Sequence, residues 1–197
     1  MNQEDILGYV MVIFILFIAY KIYKDSDYFQ LKCIVSTIDG DKYCVRERTN
    51  LQKATDLLAT TTSKMKKLVA YVDKKYPDKP NIRRLVKKFN PKKIVETLPT
   101  SEYTAYSENK GEKIAFCLNK KKNDNTNLID ENTLMFVAIH ELSHVASESI
   151  GHNKEFWDNF KFLLKEATDA GVYKMIDYQA NNQEYCGMTI TDNPYFN

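Results

Sequence analysis

His140-Glu141-Leu142-Ser143-His144 sets two imidazoles four residues apart with a carboxylate between them, and His152 follows directly behind Gly151. The chain has three histidines, and all of them fall in this stretch. On a helix, residues four apart lie one turn apart on the same face, so His140 and His144 can reach one metal ion. Glu141 is rotated by about 100° from His140, too far round to be a ligand but close to water held at the metal. H-E-x-x-H in this form is the pattern of a zinc-binding helix with a catalytic carboxylate.

Catalytic zinc keeps three protein ligands and leaves one position for water, so a third ligand must come from outside this pair. Glu148 continues along the same helix face but would sit about 12 Å along the axis from His140. His152 comes after a glycine that can turn the chain back. The expected site is therefore one zinc ion on His140, His144 and His152, with Glu141 as the catalytic group. A purely structural zinc would need a fourth protein ligand, and the sequence offers no evident one.

The elements that must position these residues are legible as patterns. Asp130 can cap a helix over 131–149 whose apolar face includes Leu134, Val137, Leu142 and Val145, and Gly151 ends it. Asn153 can cap a second helix, to about Asp169, with Phe156, Trp157, Phe160, Leu163, Leu164 and Ala167 as its buried stripe. Ahead of them, Tyr103–Ser107 and Lys113–Leu118 read as two strands of a hairpin. Asn50 can cap a long helix from Leu51 to about Tyr76, and Pro80 suits the first turn of a short helix through Phe89. Ile94–Thr97 is a short extended piece. Tyr28–Ser36 and Lys42–Arg48 read as strands around the turn Asp39-Gly40-Asp41. Beyond Gly171 the chain looks irregular and polar.

Ile6 to Tyr20 carries no charge, and with Lys21 snorkelling the usable apolar span is Ile6–Tyr23, about the minimum for a membrane helix. A cleaved signal would want a basic start and a small-residue cleavage site; Glu4, Asp5 and Ala19-Tyr20-Lys21 offer neither. A buried core helix is the other alternative. Lys21 and Lys24 follow the span with no basic side chain before it, which places the rest of the chain on the cytosolic side. The organisation expected is an anchor over residues 1–26, a strand-rich juxtamembrane segment over 27–48, and a catalytic domain over 49–197.

The 197 residues suit one compact domain plus an appendage, and 44% hydrophobic content excludes a disordered chain. Net charge is only +2, but residues 64–93 hold twelve Lys/Arg against Asp73 and Asp78. That block reads first as a solvated face, then as a contact for an anionic membrane or for nucleic acid. Cys33, Cys44, Cys117 and Cys186 include no C-x-x-C pair, which argues against a zinc ribbon. Four reduced thiols on the cytosolic side is the simpler reading, although Cys33 and Cys44 could close a hairpin.

His-Glu-Leu-Ser-His, with Gly-His152-Asn-Lys-Glu-Phe156-Trp157 behind it, resembles the zincin metallopeptidases of the WLM, SprT-like and YgjP-like group. It also resembles uncharacterised WLM-like proteins of nucleocytoplasmic large DNA viruses through Tyr106-Ser-Glu-Asn-Lys-Gly-Glu-Lys, Asn132-Thr-Leu-Met-Phe-Val-Ala-Ile and Tyr185-Cys-Gly-Met. The match covers roughly residues 45–190, although the spacing from His144 to His152 is longer than in the tightest members. The resemblance implies an α+β, minimal zincin fold: a small sheet, an active-site helix and a following helix. It implies Glu141 as general base for a water that attacks a peptide carbonyl, with zinc polarising that carbonyl. It implies that the strand Lys113–Leu118 pairs with an extended substrate. Tyr185 becomes a candidate donor to the transition-state oxyanion, against chance placement, and Phe156 with Trp157 is expected to pack behind the zinc.

The function expected is a membrane-anchored zinc metallopeptidase acting on a protein or peptide. Two other classes compete: an inactive zinc-binding scaffold at a membrane, and a DNA-associated protease that removes crosslinked proteins, using residues 64–93 on nucleic acid.

Overall fold

A computed structural model describes residues 3–26, 30–122, 124 and 126–196. Its first helix, α1 (Gln3–Asp25), buries none of its apolar side chains: Ile13 is 66% and Phe17 61% exposed. Asp5–Lys24 has a mean hydropathy of 2.2 and is long and apolar enough to cross a membrane. With 0% of that window buried, the core-helix alternative falls away.

β1 (Lys32–Val35) and β2 (Lys42–Val45) pair antiparallel around Asp39-Gly40-Asp41, with Cys33 opposite Cys44. The expected first strand is shorter than its pattern, and Tyr28 and Phe29 lie outside the described residues. This hairpin is not a detached linker. Tyr43 and Val45 belong to the core. Just beyond them Arg46 and Arg48 are buried against Glu96: the Arg46 N–H donates to Glu96 Oε2 at 2.7 Å, and the Arg48 guanidinium pairs with Oε1. Arg46 also donates to the Thr97 carbonyl at 2.8 Å. A charged group leaves water only when such partners replace it.

α2 (Leu51–Lys75) and α3 (Pro80–Lys88) follow, the latter opening on its proline as expected. Asn50 does not cap α2; its amide donates instead to the Thr126 carbonyl at 3.1 Å. Half of the basic block is neutralised by neighbours, as Lys64 is by Glu131, Lys75 by Glu166 and Lys93 by Glu112.

β3 (Ile94–Glu96), β4 (Ala105–Glu108) and β5 (Lys113–Phe116) form one sheet in the order β3-β5-β4, with β3 parallel and β4 antiparallel to β5. This corrects the expected substrate strand. β5 has a neighbour on both sides and no free edge to offer a peptide; β3 and β4 are the edge strands, and of these β4 lines the cleft that holds His140 and His144.

α4 (Glu131–Ala146) and α5 (Lys154–Asp169) pack side by side. Asp130 accepts from the Thr133 N–H at 2.9 Å and Asn153 from the Phe156 N–H at 3.2 Å, so both expected caps form. α4 stops at Ala146, one turn before its sequence pattern ends. Past α5, where the sequence looks irregular, β6 (Gln183–Tyr185) and β7 (Met188–Ile190) make a further hairpin, and a 3-10 turn closes the chain at Pro194–Phe196. Cys33 is bonded to Cys44 and Cys117 to Cys186, so the reading of four reduced thiols is overturned. The architecture is α+β, with small sheets against a helical core.

Candidate metal centre

α4 is buried on nearly every side, at Leu134, Met135, Ala138, Ile139, Leu142 and Val145. A helix apolar all round runs through a core rather than over it. That burial fixes its rotation and leaves His140 and His144 only partly covered, facing a cleft of about 470 Å³.

The end of α4 is held from outside. Asn109, Lys110 and Gly111 all have positive φ, at 47°, 59° and 104°, and turn the chain between β4 and β5 against the helix. A Cβ on Gly111 would lie 2.9 Å from the Val145 methyls and 3.0 Å from the Lys88 carbonyl, so only glycine allows this approach. Lys110 Nζ donates to the carbonyls of His144 at 3.4 Å and Ser147 at 3.1 Å, and also to Ser149. A cation on the last carbonyls of a helix satisfies groups that the helix itself leaves open.

The loop that brings back the third histidine is fastened by α5. The Glu155 carboxylate accepts the N–H groups of Glu148 at 2.8 Å and Ser149 at 3.0 Å, while Gly151 takes φ 85°. Trp157 Nε1 donates to the His152 carbonyl at 3.0 Å. The Phe156 ring lies under all three imidazoles, its centroid 4.8 Å from that of His140, 4.3 Å from His144 and 4.7 Å from His152. Phe156 thus packs behind the site as expected, whereas Trp157 is 44% exposed and acts through a hydrogen bond to the backbone.

The three Nε2 atoms converge. His144 lies 3.2 Å from His140 and 3.2 Å from His152, and His152 lies 3.1 Å from His140. Three neutral imidazoles cannot satisfy one another in a triangle, since each carries one ring proton. Tetrahedral ligation at about 2.0–2.1 Å would place ligand nitrogens about 3.3 Å apart. The arrangement therefore fits a zinc ion with an open fourth position. Among the described residues no other His, Cys, Asp or Glu joins the group. Glu148 turns away to pair with Arg84 at 3.1 Å.

Burial, reinforced by the neighbouring imidazoles, lowers His140 to about 3. Burial, His152 and Lys110 lower His144 to about 4. Both rings are neutral at pH 7, with lone pairs available to a metal. Glu141 is 4% exposed, and loss of hydration raises its carboxyl to about 8. A cation on the three nitrogens would draw that value back down.

A second cavity of about 300 Å³ adjoins His140, Glu141 and His152, walled by Phe136, Val137, Tyr185, Met188 and Ile190. Tyr185 is therefore brought to the site, but its hydroxyl already donates to the Thr104 carbonyl at 3.0 Å. Lys110 and Glu155, which fasten the two ends of the site, have no sequence signature of that role. Lys110 shows only as part of a turn, and Glu155 only as an acid in a first helical turn.

The WLM domain family matches residues 79–194, which contain every residue of this centre. An uncharacterized protein of Acanthamoeba polyphaga mimivirus is 31% identical over 186 residues, covering 92% of this chain and 91% of its own. An uncharacterized protein of Invertebrate iridescent virus 6 is 40% identical over 60 residues, 30% of this chain and 34% of that protein. Among solved structures, the crystal structure of Wss1 from Saccharomyces cerevisiae is 20% identical, covers 64% of this chain and 87% of its own, and aligns with a TM-score of 0.48.

Proposed function

The chain belongs to the WLM domain family, and from that premise we propose that it is a membrane-anchored zinc peptidase that hydrolyses peptide bonds in protein substrates. The observation that carries this reading is the convergence of three Nε2 atoms at 3.1–3.2 Å beside the buried Glu141, on an open cleft.

His140, His144 and His152 would hold the ion through Nε2. When bound, zinc supplies a Lewis acid that polarises the peptide carbonyl and makes water a better nucleophile. Glu141 takes the proton of the attacking water and returns it to the leaving amine, a role that needs a carboxylate on the cleft but outside the ligand set. The Phe156 ring and the Trp157 hydrogen bond keep the imidazoles in one arrangement. The edge strand β4 receives the substrate as an added strand.

Anchoring rests on α1, whose apolar side chains from Ile6 to Tyr23 are exposed together, an arrangement that water would penalise and a bilayer would not. The division is an anchor over 1–26, a juxtamembrane segment over 27–48 that contributes Tyr43 and Val45 to the core, and a minimal zincin domain over 49–197. With viral relatives, the membrane in question belongs to a host cell or a virion.

The test is Glu141→Gln in the full chain. It should retain zinc and lose hydrolysis of a degenerate peptide library by about 100-fold or more. Undiminished turnover in this variant would remove Glu141 as the base.

A further inference from the structure

The cleft over the imidazoles does not end at them. Tyr106 and Ser107 line it, and the same two residues line a second cleft of about 640 Å³ that runs past Tyr103 and Thr100 to Lys24. Lys24 is the last residue of the apolar span. Thr100 Oγ1 donates to the Lys24 carbonyl at 3.2 Å, and Gln30 Nε2 to the same carbonyl at 3.3 Å. The two clefts thus share Tyr106 and Ser107 of β4, and the second reaches the end of the anchor.

The tether permits little else. Leu31 is 8% exposed, fixed in the domain. The stretch from Lys24 to Leu31 can reach no more than about 25 Å even when fully extended. Tyr103, 66% exposed, stands at the anchor end of the cleft, and Tyr20 and Tyr23 stand at the end of the span. Aromatic side chains with a polar tip settle at membrane–water interfaces.

β4 supplies the track. The Cys117 N–H donates to the Thr104 carbonyl at 2.8 Å, and the register pairs Tyr106 with Ala115. In an antiparallel ladder the alternate residues then turn their N–H and C=O groups outward, and those residues are Ala105 and Ser107. Both line the cleft over the imidazoles. Ser107 Oγ has no hydrogen-bond partner among the described residues.

We infer that the substrate is the juxtamembrane stretch of another membrane-anchored protein, laid in extended form along β4 from the bilayer surface to the three imidazoles. This rests on the peptidase reading above and adds the class of substrate. A chain leaving the same bilayer meets the Lys24 end of the cleft first, and four residues paired with β4 span about 13 Å along the cleft that the histidines face.

The experiment uses the full chain, loaded with zinc, in phosphatidylcholine vesicles. A sequence that it cleaves is first selected from a soluble degenerate peptide library. That sequence is then placed either about five or about forty residues from the single membrane helix of a reporter in the same vesicles. The near reporter should be cut about tenfold faster or more than the far one. A flexible insertion of about twenty residues between Asp25 and Ser26 should leave soluble-peptide hydrolysis unchanged and erase the near preference. Equal rates on the two reporters overturn the inference and leave the peptidase reading standing. A near preference that survives the insertion also overturns it. Failure to cut any library peptide removes the peptidase reading and the inference together.

Discussion

Trp157 Nε1 donates to the backbone carbonyl of His152 at 3.0 Å, so an indole outside the three-histidine cluster holds the residue that carries the third imidazole. Trp157→Phe keeps an aromatic ring beside His152 and Phe156 but removes the donor. Zinc affinity, measured by competition with a chromophoric chelator, should fall about tenfold, within the range found for groups that orient metal ligands. Unchanged affinity would show that the loop holds His152 without the indole.

Phe156 is fully buried beneath the three imidazoles. Phe156→Ala removes that support and leaves a cavity, at a cost of about 3–5 kcal/mol in unfolding free energy. Denaturant unfolding of the metal-free chain reads this directly, and a loss below about 1 kcal/mol would contradict the packing described.

The disulfide Cys117–Cys186 ties the β6–β7 turn to the end of β5, across a sequence separation of 69. The turn is held further by the Cys186 N–H on the Asn119 carbonyl at 2.9 Å and the Gly187 N–H on the Lys120 carbonyl at 2.8 Å. Tyr185, Met188 and Ile190 of this hairpin wall the cavity beside Glu141. Cys186→Ala should cost about 2–4 kcal/mol of stability and reduce hydrolysis through a loosened wall. Maleimide labelling of the unreduced chain should find no free thiol; four would contradict both pairings. Two bonded pairs also favour an oxidising compartment for the domain, against the cytosolic side that Lys21 and Lys24 suggest.

Glu155 fastens the loop that carries His152. The Glu148 N–H, then the Ser149 hydroxyl and N–H, hold its carboxyl down, from an ordinary 4.5 to about 2. A depressed folded value stabilises the fold fully above the unfolded value, and that contribution is lost as pH falls toward 2. In the metal-free chain, Glu155→Gln should cost about 1 kcal/mol at pH 7, after allowance for a side chain 39% exposed. The gap between variant and wild type should close below about pH 4.5. A gap undiminished at pH 3 would contradict the role given to Glu155.

What the sequence made legible was local. His140 and His144 are four residues apart, Gly151 lies just ahead of His152, and Asp130 and Asn153 each sit three residues before the N–H they accept. Helix geometry converts such spacings into positions without knowledge of the rest of the chain. What escaped was long-range. The bond between Cys117 and Cys186, the burial of Arg48 on Glu96, and the hold of Lys110 on the carbonyls of α4 join segments 34 to 69 residues apart. The placement of β5 between β3 and β4 is of the same kind, because strand order is set by packing rather than by the pattern of one strand. Asn50 shows the converse failure: a good capping residue was drawn to the Thr126 carbonyl by a tertiary contact.

The central claim is that His140, His144 and His152 together hold one zinc ion. Its most direct test is zinc per chain, by mass spectrometry of metals, on the full chain purified in detergent and dialysed against metal-free buffer. Wild type and Glu141→Gln should each retain about one zinc, and His152→Ala should retain little, because removing one of three ligands leaves two imidazoles and an open site. A metal-free wild type, or full occupancy in His152→Ala, would contradict the three-histidine centre.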